Sequence, residues 1–306
     1  MRALAWVVTR WARDVRPRCI TLENVERFVD WCPLTNEGKP CERRKGLTFR
    51  RWVRSLERLG YRVEWRELRA CDYGAPTTRN RLFIVARCDG EPIIWPTPTH
   101  GDLIWQRPFK TAADCIDWSV PCPSIEGRNL RPTTIARIMR GVEKFVTGAK
   151  DPFIVDGSIP WLIHQGNGER EGQLPRIYDV NEPLRTIVAQ GVKHFLCRAF
   201  IAKHYGGNET PGQDLRAPLS TITTRDHHSL VTVHGDQIVS IGMRALTPRE
   251  LFRAQGFPDS YIIDPIVNGK PLSKTAQVRM VGNSVAPHVA AAIVAANIPR
   301  HATIAA

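Results

Sequence analysis

Three groups of residues in this sequence have the types and spacing to do chemistry. Glu23 stands one residue past the apolar run at residues 19–22, which reads as a short strand. Ligands of parallel α/β sheets bind outside the carboxyl ends of the strands, so this carboxyl group is a candidate acid or hydrogen-bonding group. Arg79 and Arg81 flank Asn80 at the entrance to a second apolar run, residues 82–86. Strand alternation puts both guanidinium groups on one side, where their fork geometry suits phosphate or carbonyl oxygens. Gly282, Asn283, Ser284 and Val285 precede an alanine-rich segment and predict a turn leading a helix, offering backbone N–H groups and a capping hydroxyl. The eight cysteines (19, 32, 41, 71, 88, 115, 122 and 197) include no C-x-x-C pair, so they predict reduced thiols and no metal site. His164 and the pair His227-His228 read as polar loop residues.

These residues belong to four runs that follow one another: Ile20-Thr21-Leu22-Glu23-Asn24-Val25, Tyr73-Gly74-Ala75-Pro76-Thr77-Thr78-Arg79-Asn80-Arg81, Arg244-Ala245-Leu246-Thr247-Pro248-Arg249-Glu250 and Gly282-Asn283-Ser284-Val285-Ala286-Pro287. In this order and at these separations they resemble the second half of a DNA (cytosine-5)-methyltransferase. The resemblance implies that Glu23 faces a cytosine flipped out of the duplex and holds its ring nitrogen N3 and exocyclic amine. It implies that Arg81 contacts the cytosine O2 and Arg79 the nearby DNA backbone. Asn283, Ser284 and Val285 would line the pocket of S-adenosyl-L-methionine, the methyl donor. Residues 244–259 resemble the segment that braces the target-recognition domain, a role without chemistry. Two departures stand out: Thr77 where the family usually has Gln, and Ala286-Pro287 in place of Pro-Pro.

The reaction also needs a thiolate to attack C6, because C5 is too electron-poor to accept a methyl group without that addition. The family carries this cysteine in a Pro-Cys motif before Glu-Asn-Val, and residues 1–17 hold no cysteine. Pro40-Cys41 and Pro121-Cys122 stand in the wrong order and read as incidental. No glycine-rich donor loop is found either. The expectation is a C-terminal segment, inactive alone, whose nucleophilic Cys and most of whose donor pocket come from a second polypeptide or an upstream segment. A non-catalytic DNA-binding remnant of a truncated gene is the alternative reading.

Composition agrees with a nucleic-acid partner. The 306 residues carry 43 Lys and Arg against 30 Asp and Glu, and residues 1–90 hold 20 of the basic residues against 11 acidic ones. Such an excess suits a polyanionic partner such as double-stranded DNA, since each neutralised phosphate releases counterions, and by composition alone it equally suits a solvated basic surface. There is no leader and no apolar run approaching ~18 residues, which predicts a cytoplasmic chain without a membrane span.

The elements that must position these residues follow from periodicity. Helices are predicted over residues 2–15 and 50–59, the latter stopped by Gly60. Tyr61, Val63 and Trp65 alternate with Arg62, Glu64 and Arg66 as a half-buried strand. With the runs at 19–22 and 82–86 this reads as the tail of an α/β sheet. Six prolines and three tryptophans between residues 91 and 124 suit a domain junction. A helix over 132–146 would bury Ile135, Ile138, Val142 and Phe145. Pro183-Leu184-Arg185-Thr186-Ile187 recurs as Pro218-Leu219-Ser220-Thr221-Ile222, with Pro132-Thr133-Thr134-Ile135 as a weaker third copy. Thr247, Pro248 and Glu250 form a capping box, and residues 289–298 an apolar helix. The expected fold class is α/β: a partial Rossmann-like methyltransferase sheet (1–90), an irregular β-rich target-recognition domain (91–243) and a closing helical segment (244–306).

Overall fold

The computed structural model describes residues 4–166, 169–201 and 238–298. Its elements in chain order are α1 (Leu4–Asp14), β1 (Cys19–Asn24), α2 (Leu47–Glu57), β2 (Arg62–Arg69), β3 (Asn80–Arg87), α3 (Pro132–Gly141), β4 (Ser158–His164), β5 (Ile177–Tyr178), β6 (His194–Ile201), β7 (Ile238–Ala245), α4 (Pro248–Gln255), β8 (Ile266–Val267), β9 (Lys270–Pro271), α5 (Lys274–Asn283) and α6 (Pro287–Asn297). The architecture is α/β and divides into two units, Met1–Phe109 with Val285–Ala306, and Lys110–Ser284. The first junction falls inside the proline-rich stretch. The second separates residues 244–284 from 285–306, so packing divides the chain differently from the expected breaks at 90/91 and 243/244. The apolar faces explain this. Leu251, Phe252, Val278 and Val281 share a core with Leu162, Leu184, Ile187 and Leu196, whereas Val289 and Ile293 of α6 pack with Tyr73, Phe83 and Val85.

In the first unit the sheet order is β1-β3-β2, and β3 runs antiparallel to both neighbours. The central strand of this sheet is therefore reversed relative to both of its neighbours. Only residues 70–79 join β2 to β3, with one short 3-10 turn (Ala70–Tyr73), and a parallel crossover needs about a dozen residues or more. Strand β3 is buried on both faces. Leu82, Ile84 and Ala86 meet Phe49, Trp52, Val53 and Leu56 of α2, while Phe83 and Val85 meet α6. Asn297 fastens α6 in place: its side chain accepts from the Ile94 amide (3.0 Å) and donates to the Ile94 carbonyl (2.8 Å).

The second unit holds an antiparallel sheet ordered β5-β4-β6-β7. Helix α3 forms, but its buried stripe includes Thr134, Arg137 and Ile138, and Ile135 is exposed. Arg137 is drawn inward by Glu169, whose two carboxylate oxygens it meets at 2.6 Å each. Because Pro132 opens this helix, residues 132–135 are no third copy of the irregular segment 183–187. Ile187 is buried; residues 218–222 and His227-His228 lie outside the described residues. His164 ends β4, where it pairs across to His194 of β6 with ring centroids 5.0 Å apart, and is not a loop residue. The stretch Lys274–Asn297 is long and apolar enough to cross a membrane by length and composition. Extended backbone at Ser284 and Ala286 divides it into α5 and α6.

Candidate active site

Register brings Glu23 and the two arginines together. Glu23 of β1 stands opposite Phe83 of β3, so Arg81, two residues back along the same face, is its diagonal neighbour. Arg81 Nε lies 3.3 Å from Glu23 Oε1, and the Arg79 guanidinium lies 4.0 Å from the same oxygen. The turn carrying Arg79 is fixed from both sides. The Ala70 amide donates to the Arg79 carbonyl (2.8 Å), and the Arg79 amide donates to the buried Thr77 hydroxyl (3.3 Å). Thr77 thus holds the turn where the family has Gln. Gly74 begins that turn with a positive φ of 93°, and a Cβ there would strike the His100 ring at 2.6 Å.

Burial separates the two arginines. The Arg79 side chain is 3% exposed and that of Arg81 17%, so Arg81 is the outward member. Burial raises the Glu23 pKa above the ordinary carboxylate value, outweighing the opposing pull of Arg79 and Arg81. Burial likewise lowers Arg79 to about 10, with Arg81 adding like-charge repulsion. A tight ion pair would move both groups the other way. The separation explains the outcome, since Glu23 Oε1 is buried yet receives no hydrogen bond from the described residues. Glu26 is the residue that sequence reasoning missed; its carboxylate lies 3.8 Å from Arg81. The available signal was its position three residues after Glu23, where a short 3-10 turn returns it to the same arginine.

The Gly282–Val285 loop differs from expectation. Asn283 ends α5, and Ser284 is the residue just beyond it. The Ser284 hydroxyl donates back to the Val281 carbonyl (2.8 Å), and Gln255 donates to both the Ser284 carbonyl and hydroxyl (3.2 and 3.3 Å). Helix α6 has Ala286 at its start and no side-chain cap, so the predicted capping hydroxyl is turned onto the preceding helix. A Cβ on Gly282 would come within 2.2 Å of the Ala189 amide, so glycine is required for this close backbone approach. Asn283 is exposed, and Val285 is 36% exposed.

The capping box at Thr247 is present. Its Glu250 also takes Arg244 in a two-pronged pair at 2.7 and 2.9 Å, an internal tie of the second unit. A cavity of about 900 Å³ in the first unit is lined by Leu4, Val8, Leu22, Asn24, Phe28 and Trp31, among others. Leu22 and Asn24 face it, so alternation turns Glu23 to the opposite side of β1.

A family model described as C-5 cytosine-specific DNA methylase matches residues 1–101 and 169–298. DNA (cytosine-5)-methyltransferase 1A of Oryza sativa subsp. japonica is 27% identical over 322 residues, covering 92% of this chain and 19% of the relative. Type II methyltransferase M1.HphI of Haemophilus parahaemolyticus is 28% identical over 288 residues, covering 93% of this chain and 57% of the relative. The chain therefore spans less than two-thirds of the length of either curated relative. Among solved structures, a methyltransferase of Entamoeba histolytica shares 14% identity with a TM-score of 0.44, covering 95% of this chain and 67% of that one.

Proposed function

Because the chain belongs to the C-5 cytosine-specific DNA methylase family, we propose that it supplies the base-holding and target-recognition parts of a DNA cytosine-5 methyltransferase. Its substrate is a cytosine flipped from double-stranded DNA. The observation that carries this reading is the desolvated Glu23, poorly satisfied and facing two arginines. Cytosine presents an acceptor, N3, beside a donor, the amino group. A protonated carboxyl group complements both, donating through its hydroxyl and accepting through its carbonyl oxygen. Burial favours that neutral form. Arg81 donates to the cytosine O2, and both contacts draw electrons from the ring and ready C6 for a thiolate. Arg79, at 3% exposure, acts from behind by positioning Glu23; reaching a DNA phosphate would need a more exposed side chain.

S-adenosyl-L-methionine supplies the methyl group when bound. The exposed Asn283 amide and the Val285 side chain suit its polar and apolar parts, and Ser284, tied to Val281 and Gln255, keeps that loop in shape. The nucleophilic cysteine comes from a second polypeptide or an upstream segment. Support comes from an unfinished face in the first unit. Strand β1 is an edge with no fully buried residue, and α1 leaves Leu4, Trp6 and Trp11 exposed.

The test is transfer of labelled methyl groups to duplex DNA. Residues 1–306 alone are expected to transfer none. Adding a polypeptide with the glycine-rich loop and Pro-Cys motif restores transfer, and Glu23→Gln in the restored enzyme lowers the rate about 10²–10⁴-fold. Transfer by the chain alone overturns the missing nucleophile. Cys41 would then be the first suspect, because its contact with Arg44 lowers its pKa. Duplex binding without restored transfer favours a non-catalytic remnant.

A further inference from the structure

Beyond the base-holding cluster, the first unit carries a hydrogen-bonded loop whose tip is apolar and largely exposed to solvent. Leu103, Ile104 and Trp105 are 51%, 99% and 73% exposed. The loop beneath them is closed by backbone bonds. Gly101 donates to the Arg107 carbonyl (3.0 Å), Arg107 to the Thr99 carbonyl (3.0 Å), and Gln106 to the Leu103 carbonyl (2.8 Å). The Gln106 side chain adds two more, accepting from the Leu103 amide (3.3 Å) and donating to the Pro98 carbonyl (3.4 Å). A loop so well bonded has no internal use for the tryptophan and isoleucine at its apex.

Its base is clipped to the element that fixes the arginines. The amides of Thr99 and His100 both donate to the Asp72 carbonyl (2.8 and 3.0 Å), and the Tyr73 hydroxyl donates to the Pro96 carbonyl (3.0 Å). Asp72 and Tyr73 belong to the same turn, Ala70–Tyr73, whose first amide holds the Arg79 carbonyl. Ile104 is four residues from His100, so it can stand at most about 14 Å beyond that clip. Duplex DNA advances about 3.4 Å per base pair, so the reach of the tip from the clip corresponds to about four base-pair steps. The unit that carries the loop is basic as a whole, since residues 1–109 hold 21 Lys and Arg against 13 Asp and Glu, and that excess suits the same partner.

We propose that residues 103–105 form an apolar wedge that inserts against a base step of the duplex beside the extruded cytosine. This rests on the reading of Glu23 and Arg81 as the base-holding pair. Isoleucine and leucine are the kind of side chain that opens a step, and tryptophan stacks on an exposed base face without regard to sequence. The wedge would fill the gap left by extrusion and hold the flipped state open.

The experiment is fluorescence anisotropy of the 306-residue chain with a labelled duplex over a salt series. Trp105→Ala and Ile104→Ala are each expected to weaken binding roughly tenfold. The slope of log affinity against log salt should not change, because no phosphate contact is lost. Trp105→Phe should retain most of the affinity. Both alanine variants should melt with the wild type, since neither side chain packs internally. Variants that bind as well as wild type, or whose salt slope becomes shallower, overturn the wedge and leave the proposed function standing. Unchanged DNA affinity with reduced self-association or partner binding would make the tip a protein contact. If the wild-type chain binds no duplex at any salt, the base-holding reading fails and the wedge with it.

Discussion

Glu23 and Glu250 are the same residue type, and each faces arginine, Glu23 from the end of β1 and Glu250 from the first turn of α4, yet they are bonded in opposite ways. Glu250 is fully buried and saturated. Arg244 donates to both of its oxygens (2.7 and 2.9 Å), as do the amides of Asp117 (2.9 Å) and Thr247 (2.6 Å). Arg244 spends a further N–H on the Asp117 carbonyl at 3.0 Å. Around Glu23, among the described residues, the nearest guanidinium nitrogen is 3.3 Å away, and a buried carboxylate oxygen receives no hydrogen bond. A carboxylate has about four acceptor positions. Where the fold fills them the group is a fastener, and where it leaves them open beside fixed positive charge the group is equipped for a ligand.

Four measurements would break or sharpen that contrast. Glu250→Ala should cost about 3–5 kcal/mol of stability, because it strands Arg244 as a buried charge. Chemical denaturation checks this, and a loss near zero would mean that the saturated network holds nothing together. Gly282→Ala should cost about 1–3 kcal/mol, because the new methyl group must displace backbone at Val188 and Ala189. A melting shift toward higher temperature would show that this approach is slack.

The paired histidines provide a buried polar site of a third kind. Burial lowers His194 to about 3 and His164 to about 4, each below its ordinary 6.5. Both are then neutral in the fold while the unfolded chain takes up protons below pH 6.5. Stability should therefore be unaffected above that pH and fall as the pH drops toward 4, by up to about 1.4 kcal/mol per pH unit for each histidine. Denaturation midpoints between pH 7 and 5 test this, and replacing His194 by Phe should flatten the profile.

The smallest effect is expected at Glu23. A carboxyl group whose folded pKa is raised binds its proton more tightly in the fold. Its contribution is therefore favourable below the unfolded pKa and is lost as the pH rises through the folded one. Glu23→Gln at neutral pH should leave stability unchanged or slightly raised, opposite in sign to any change at Glu250. A large loss would make Glu23 a second fastener.

Much of this was legible in the chain, for local reasons. The capping box at Thr247 needs only neighbours three residues apart, and it is present. The apolar runs at residues 19–22 and 82–86 became strands, and alternation alone put Arg79 and Arg81 on one face. Where reading failed, a distant partner decided. Ile135 was expected inside α3, but Glu169, more than thirty residues on, draws Arg137 inward and rotates the helix. The Ser284 hydroxyl was expected to cap α6, but Gln255 and Val281 hold it on α5.

The sequence by itself determined which residue types stand together along the chain: the Glu-Asn-Val run, the two arginines, the Gly-Asn-Ser-Val loop and the basic excess. Those depend on covalent order and short-range periodicity. Tertiary structure decided the rest. It reversed β3 between β1 and β2, set the gap that leaves Glu23 unsatisfied, and buried Arg79 deeper than Arg81. It also brought Asn297 back to Ile94 across more than two hundred residues, so that 285–306 joins the first unit. Such outcomes turn on which apolar faces find each other and how much water they exclude, and both depend on packing between segments far apart in the chain.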